Sequence, residues 1–170
     1  MRWSAGSVIR FVAVALGAMS GATPSGACEP GTYMVGQKPK LGQPVAGGEL
    51  SKPFGWQYNH RRNSPDFHNG VDLDVPAGQP VVAALDGEVI VAGTESALGH
   101  VVLIDHGNGL RTGYGHMGQL NVAKGACVRA GQVIATSGCS GQCSDPHLHF
   151  SILLGDEYVD PGPLLNLYER

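Results

Sequence analysis

The chain has 170 residues, of which 42% are hydrophobic and 15% charged, with a formal net charge of -3 at pH 7. This length suits one domain plus an export segment, since single domains commonly run to roughly 100 to 200 residues. The 26 glycines and 11 prolines favour short strands and tight turns over long helices. A nucleic-acid-binding protein is excluded, because no cluster of Lys and Arg is larger than the Arg61-Arg62 pair.

The N-terminal segment, residues 1–27, is predicted to be a secretory signal peptide. Arginines precede the apolar run Phe11–Leu16, in the order of the charged and apolar regions of such signals. A membrane-spanning helix needs about 20 largely apolar residues, so we expect no membrane span here. Small residues favour cleavage near Ala22 or Ala27. The sequence therefore predicts an exported protein.

The rest of the chain is divided into a lead-in, residues 28–52, and one folded domain, residues 53–170. The lead-in is rich in Gly, Pro and Lys without periodicity, and we predict that it is irregular. From Phe54 onward, apolar runs alternate with turn signals at the spacing of an antiparallel β fold. The predicted strands are Val71–Val75, Pro80–Ala84, Glu88–Ala92, His100–Asp105, Leu110–His116, Gln132–Thr136 and Leu148–Leu154. The tail, residues 160–167, is expected to form a short helix or coil against the sheet edge.

The four cysteines are predicted to pair, because an exported chain folds in an oxidising compartment. Cys139 and Cys143 flank a tight glycine-containing turn, and closing it would stabilise the protein by about 2 kcal/mol in the chain-entropy model. We predict the disulfide Cys139–Cys143, and Cys28–Cys127 follows by elimination. Lipidation of Cys28 is an alternative, although Ser25 stands where a large aliphatic residue is expected.

A His-x-His pair lies in the last long predicted strand. Side chains on a strand repeat on one face every two residues, so His147 and His149 point to the same side and Leu148 and Phe150 to the other. Paired imidazoles on one strand face suit a metal site, although a surface pair is the alternative.

A second candidate motif joins His68 and Asp72 across Gly70. If the chain enters a strand there, both side chains can face one side while the glycine permits the turn. The alternative is a solvated carboxylate beside a capping histidine. Two His and one carboxylate are a recognised ligand set for catalytic zinc, which keeps an open position for water. Further histidines near the metal could move a proton or stabilise an oxyanion.

Residues Phe54 to Leu165 resemble the lysostaphin-type (LytM-like) peptidoglycan metalloendopeptidases. These enzymes carry His-x-Gly-x-Asp, Tyr-x-His and His-Leu-His-Phe in that order, and all three motifs are present, at 68–72, 114–116 and 147–150. The resemblance implies a zinc-dependent endopeptidase that hydrolyses peptide cross-links or stems of bacterial peptidoglycan, in the periplasm or outside the cell. It also favours a mainly β, antiparallel two-sheet sandwich or barrel-sandwich hybrid with zinc at the floor of a groove.

The resemblance also assigns roles to individual residues. It makes His68, Asp72 and His149 the ligands of one Zn²⁺ per chain. It makes His116 and His147 the catalytic pair. The tyrosine of the second motif, Tyr114, becomes a candidate group beside the ligands or on the oxyanion side, with a packed core tyrosine as the alternative. It implies that the partner is a peptide of peptidoglycan, and a D-alanyl–diaminopimelate cross-link is the first expectation for the bond that is cut.

Two other functions and one other zinc pattern are alternatives to this assignment. A non-catalytic cell-wall-binding or amidase-activating module is the alternative function, although such relatives usually lack a metal or catalytic residue and none of the five is missing. A secreted bacteriolysin that cuts glycine bridges is a further alternative. Cys139, Cys143, His147 and His149 also fit a Cys₂His₂ zinc pattern. The remaining candidates are expected to be structural or on the surface: His106, His60, His100 and Asp74.

Overall fold

The computed structural model describes residue 28, residues 39–59 and residues 63–168. Within these ranges the chain forms twelve strands and no helix, and the mainly β, antiparallel fold is confirmed. The strands are β1 (Glu49–Lys52), β2 (Gly55–Asn59), β3 (Ser64–His68), β4 (Val71–Asp74), β5 (Pro80–Val82), β6 (Gly87–Glu95), β7 (Gly99–Asp105), β8 (Leu110–Met117), β9 (Cys127–Val128), β10 (Val133–Thr136), β11 (His147–Leu154) and β12 (Glu157–Val159). The signal peptide predicted at 1–27 lies outside the described residues.

The strands divide into one large and two small antiparallel sheets rather than into two sheets. The large sheet has the order β1-β4-β11-β8-β7-β6-β9, and β12 pairs with β11. The small sheets are β5 with β10 and β2 with β3. The centre of the large sheet, β4-β11-β8, carries four of the five predicted site residues, and the fifth, His68, ends β3.

All seven strands predicted from apolar runs are present, with bounds that shift by a few residues. The prediction missed five strands, β1, β2, β3, β9 and β12, which are short and mostly lack consecutive apolar residues. One of them, β1, lies at the end of the lead-in, where Glu49 pairs with Asp74 of β4. The end of the lead-in is therefore a strand and not irregular, because the edge of the sheet offers it backbone partners.

The core lies beneath the large sheet and is built from alternating residues of its central strands. Leu148, Phe150 and Ile152 of β11 are fully buried, beside Val71 and Leu73 of β4. In both strands these apolar residues alternate with polar ones, as the apolar pattern of the sequence predicts. The tail forms turns rather than a helix and contributes two buried side chains to the same core, Leu165 and Leu167.

Both predicted disulfides are present, Cys139–Cys143 and Cys28–Cys127. The bond to Cys127 leaves Cys28 without the thiol that lipidation requires. The bond between Cys139 and Cys143 likewise removes the two thiolates that the Cys₂His₂ zinc pattern needs. Within the part of the chain that the structure describes, no helix is long and apolar enough to cross a membrane.

Candidate metal centre

Strand pairing brings together the three side chains predicted to bind a metal. Asp72 of β4 and His149 of β11 are directly opposite each other in the antiparallel ladder, so their side chains are cross-strand neighbours. His68 ends β3, and the two-residue connection Asn69-Gly70 leads into β4, which places its imidazole beside both. His68 and His149 are buried and Asp72 is partly buried.

The ligand atoms of the three side chains converge on one point. Asp72 Oδ1 lies 3.0 Å from His68 Nε2 and 2.9 Å from His149 Nδ1. The two imidazole nitrogens lie 3.1 Å apart. Within the described chain, this is the one group of three or more His, Cys, Asp or Glu residues with ligand atoms arranged to hold a metal ion.

The tautomer of His68 shows why a cation fits this point. His68 Nδ1 donates a hydrogen bond of 2.8 Å to the carbonyl oxygen of Pro53, so in the neutral ring the lone pair is on Nε2. That lone pair faces Asp72 Oδ1 and His149 Nδ1, and three electron-rich atoms so close repel one another unless a proton or a metal lies between them. A backbone carbonyl that orients a ligand histidine is the usual arrangement around protein-bound zinc.

The charge state of Asp72 also suits a cation. Burial acts to raise the pKa of Asp72, but hydrogen bonds and charges from His149 and His68 outweigh it and hold this pKa well below the ordinary value of 3.8. Burial lowers the pKa of His149 below 6.5, against the opposing effect of Asp72. Near neutral pH Asp72 is therefore a carboxylate and His149 a neutral imidazole donor, and together with His68 they form the zinc ligand set of two His and one carboxylate.

His149 has one ring nitrogen in the group and one outside it. Nε2 is buried and has no hydrogen-bond partner among the described residues. A Cβ atom on Gly70 would lie 2.8 Å from this nitrogen and 2.4 Å from the carbonyl oxygen of Phe150. Gly70 is therefore needed because the His149 ring passes directly over it. Its backbone is not in the left-handed region, so packing against the His149 ring, and not a left-handed turn, explains the glycine.

The two predicted catalytic histidines lie side by side next to this group. The ring centroids of His116 and His147 are 4.6 Å apart, and His116 is 6.2 Å from His149. His147 Nε2 lies 3.9 Å from Asp72 Oδ2. Each donates from Nδ1 to a backbone carbonyl, His116 to Ser140 at 2.8 Å and His147 to Asp145 at 2.7 Å. The Nε2 atom of each neutral ring therefore keeps a lone pair that can accept a proton.

A β-bulge in β8 turns His116 toward the site. The flanking register pairs of β7 and β8 are His100 with Met117 and Val102 with Tyr114. β8 has two residues between these pairs and β7 has one, so β8 carries an extra residue. His116 lies at this bulge with φ of 59°, a conformation uncommon for a residue with a side chain and typical of functional sites. The bulge breaks the strand alternation that would send His116 and Tyr114 to the same face.

Tyr114 faces the core, which fits the packed-tyrosine alternative and not a place beside the ligands. Its hydroxyl accepts a hydrogen bond of 2.8 Å from the amide of Ala84 and lies 3.0 Å from Thr112 Oγ1. Its ring packs edge-on against Phe150 at 5.3 Å. Burial raises the pKa of Tyr114 to about 12, so the hydroxyl stays protonated at neutral pH.

Two other predicted positions are also structural. His106 is buried, with Nδ1 donating to the carbonyl of Asp86 at 2.7 Å and Nε2 at 2.7 Å from Thr112 Oγ1. His100 is half-buried and bonds the carbonyl of Gly118 through Nδ1, so the expectation that it is a surface residue is wrong. Asp74 is exposed, as expected, while His60 lies outside the described residues.

The site lies in a groove of about 780 Å³. His68, Asp72, His149, His116 and His147 line it together with Lys52 of β1 and side chains from three other segments. Strands β2 and β3 contribute Gln57, Tyr58, Asn59 and Asp66, the β6–β7 turn contributes Ala97 and Leu98, and the segment closed by Cys139–Cys143 and the residue after it contribute Gln142, Cys143 and Ser144. An extended peptide therefore has an open channel past the histidines.

Sequence reasoning did not find the backbone groups that orient these histidines. The carbonyls of Pro53, Ser140 and Asp145 set the hydrogen bonding of three imidazoles. No side-chain pattern marks a carbonyl as an acceptor, so no signal in the sequence could have identified them. The tight packing at Gly70 does have a signal, the glycine of the first motif.

Comparison with known proteins agrees with this geometry. The family described as peptidase family M23 matches residues 66–161. The DD-carboxypeptidase/endopeptidase Mpg of Neisseria meningitidis is 34% identical over 119 residues, which are 70% of this chain and 27% of that protein. The chain thus spans about a quarter of the length of this curated relative.

Solved structures show the same fold. A zinc-containing peptidase from Vibrio cholerae is similar with a TM-score of 0.66 and 33% identity, over 69% of this chain and 37% of that chain. The antimicrobial peptidase lysostaphin from Staphylococcus simulans is similar with a TM-score of 0.62 and 30% identity, over 70% of this chain and 49% of that chain. With the family match over more than half of its length, the chain belongs to peptidase family M23.

Proposed function

We propose that this protein is a zinc-dependent endopeptidase that hydrolyses peptide cross-links or stems of bacterial peptidoglycan. The observation that carries the proposal is the convergence of ligand atoms from His68, Asp72 and His149 beside two further histidines in one open groove. A metal-binding structural site would not need His116 and His147, with Nε2 lone pairs, beside it. That arrangement suits peptide hydrolysis with water as the nucleophile.

In this proposal His68 Nε2, Asp72 and His149 Nδ1 hold one zinc ion. When bound, zinc supplies Lewis acidity, which lowers the pKa of bound water toward about 7 and polarises a carbonyl. The chain's own groups handle the protons. His147 and His116 each have Nδ1 committed to a backbone carbonyl, so each can accept or donate only at Nε2. Either is suited to take the proton of the attacking water at Nε2, and the other, when it carries a proton on Nε2, to donate to the oxyanion of the scissile carbonyl.

Burial supports the role of His116 as a group that is neutral at working pH. Burial lowers the pKa of His116 below 6.5, with the neighbouring His147 and His149 acting in the same direction and Ser140 opposing. A neutral imidazole is the form that accepts a proton. At neutral pH His116 is thus ready to act as a base and becomes a donor once protonated.

The substrate is proposed from the name of a relative. The relative from Neisseria is named a DD-carboxypeptidase/endopeptidase, which favours a bond between D-configured residues in peptidoglycan cross-links. A D-alanyl–diaminopimelate link is the first substrate to test. The predicted signal peptide favours a location in the periplasm or outside the cell, where this substrate lies.

Purified mature protein, incubated with defined peptidoglycan fragments with and without a chelator, tests the proposal. We expect new amino and carboxyl termini at one class of peptide bond by mass spectrometry, loss of cleavage with the chelator, and recovery on adding zinc. Pentaglycine fragments included in the same assay identify a bacteriolysin. Stoichiometric zinc without cleavage of any fragment would contradict the enzyme and favour the non-catalytic wall-binding or amidase-activating module.

A further inference from the structure

We propose that the loop closed by Cys139–Cys143 is a positioning device for both groove histidines, with Ser140 as its central positioning residue. The loop sets the ring orientation of His116 and His147. This inference rests on the proposed function, because it concerns how the two proposed proton-transfer groups are held.

Both histidines depend on carbonyls in or next to this loop. The carbonyl of Ser140, inside the disulfide ring, accepts from His116 Nδ1 at 2.8 Å. The carbonyl of Asp145, two residues after Cys143, accepts from His147 Nδ1 at 2.7 Å. These two bonds fix which nitrogen carries the proton and where Nε2 points. Displacing the loop would release both rings at once.

Ser140 ties the loop to the strands that flank His116. Its Oγ accepts from the amide of His100 at 2.8 Å and donates to the carbonyl of Met117 at 2.7 Å. Its amide meets the carbonyl of His116 at 3.5 Å. The serine thus bonds β7, β8 and the His116 ring together, directly at the bulge where the backbone is strained.

One further hydrogen bond anchors this segment to the β6–β7 turn, from the amide of Gln142 to the carbonyl of Ala97 at 2.8 Å. Gly141, Gln142, Ser144, Asp145 and Pro146 are all exposed, so apolar burial contributes little to its order. Gly141 packs against the β6–β7 turn, where an added Cβ would lie 2.3 Å from the amide nitrogen of Gly99. A short covalent ring removes most of the conformations open to such a polar loop. The disulfide therefore restricts the backbone whose carbonyls orient His116 and His147, as strand pairing restricts the backbone of Asp72 and His149.

The matched pair of variants is Cys139→Ser/Cys143→Ser and, as a control, Cys28→Ser/Cys127→Ser, which removes the disulfide that does not close this loop. We expect the first variant to keep zinc and its KM while kcat falls by roughly 10²-fold, the size of loss that follows a 1 Å misplacement of reacting groups. The control should keep a kcat near that of the wild type. A wild-type kcat in the first variant would overturn the proposal.

A spectroscopic readout tests the same point without activity. In the wild-type protein, imidazole nitrogen NMR should show His116 and His147 fixed as Nδ1–H tautomers. In Cys139→Ser/Cys143→Ser, both rings should show averaged tautomers while the signals of His68 stay unchanged. Unchanged tautomers at His116 and His147 would contradict the proposal. An inactive wild type with this same spectral difference would reject the proposed function alone.

Ser140→Ala keeps the disulfide, so it tests the positioning role of this loop even if Cys139→Ser/Cys143→Ser does not fold. It removes the two Oγ bonds to His100 and Met117 but leaves the carbonyl that His116 uses. We expect a smaller fall in kcat, with zinc content and KM retained, and rescue by Ser140→Thr, which restores the hydroxyl. Full activity in Ser140→Ala together with an unshifted His116 spectrum would overturn the role of Ser140.

Discussion

The metal group and the histidine pair share one groove but are held in different ways. Asp72 and His149 are opposite each other in the central ladder of the large sheet, and His68 follows from a strand one short turn away. His116 lies at a strained bulge, and both His116 and His147 point where loop carbonyls direct them. Strand pairing places Asp72 and His149, whereas loop carbonyls orient the rings of His116 and His147.

Because the two groups are held in different ways, metal binding and proton transfer should be separable by mutation. Asp72 and His149 sit on backbone that cannot move without breaking the large sheet, so the metal site should survive changes in the Cys139–Cys143 loop. The orientation of His116 and His147 depends on few hydrogen bonds in an exposed segment. Variants of each group test this separation, and removal of a metal ligand should have the largest effect.

Removing a ligand should abolish both metal binding and hydrolysis. Asp72→Ala takes away the carboxylate that both ligand histidines face, and His149→Ala removes Nδ1 from the same group. We expect the zinc content of either purified variant to fall from one ion per chain to a trace, measured by elemental analysis. Stoichiometric zinc in either variant would show that the metal site lies elsewhere.

Removing a member of the histidine pair should instead leave zinc bound. General acid–base help is worth about 10²- to 10⁴-fold, so His116→Ala and His147→Ala should each lower kcat by that factor with KM little changed. Groups that act on one intermediate are non-additive, so the double variant should lose less than the product of the single losses. Loss of zinc in His147→Ala with retention in His149→Ala would reverse the assignment of ligand and base.

Gly70→Ala should weaken the metal group through packing alone. The added Cβ would overlap the carbonyl of Phe150 and the ring of His149, and overpacking of this kind costs about 1 to 3 kcal/mol. We expect a lower unfolding temperature and weaker zinc binding in a chelator competition titration. Gly93→Ala is the matched control, since nothing lies within 4 Å of its added Cβ. Equal zinc affinity in the two variants would count against this account.

The smallest predicted effect concerns the core and not the groove. Burial lowers the pKa of His106 below its ordinary value of 6.5. Below pH 6.5 the unfolded chain therefore binds more protons than the folded one, and stability falls as the pH falls. In His106→Gln, the slope of unfolding free energy against pH below about pH 6.5 should lessen by up to one proton equivalent. Denaturant titrations of the metal-free protein measure it, and an unchanged slope would refute the assignment.

Much of the fold and of the site followed from local pattern. Period-two apolar runs predicted strands such as β4 and β11, because alternate residues of a half-buried strand must be apolar. The spacing of Cys139 and Cys143 predicted their disulfide. The motif order indicated family M23, to which the chain belongs. Polar strands such as β1 were not predicted, because hydrogen bonds to a partner strand stabilise them and their own side chains form no apolar pattern.

By itself, the sequence determined which residue types are available and which strands can bury one face. Only the tertiary structure decided how the site residues are turned. His116 and Tyr114 have the spacing of one strand face, yet the bulge in β8 sends the first to the groove and leaves the second in the core. The carbonyl of Pro53 fixes the metal-facing nitrogen of His68. A bulge depends on the register of the neighbouring strand, and a tautomer depends on acceptors from other segments. The local spacing of residues therefore predicts neither.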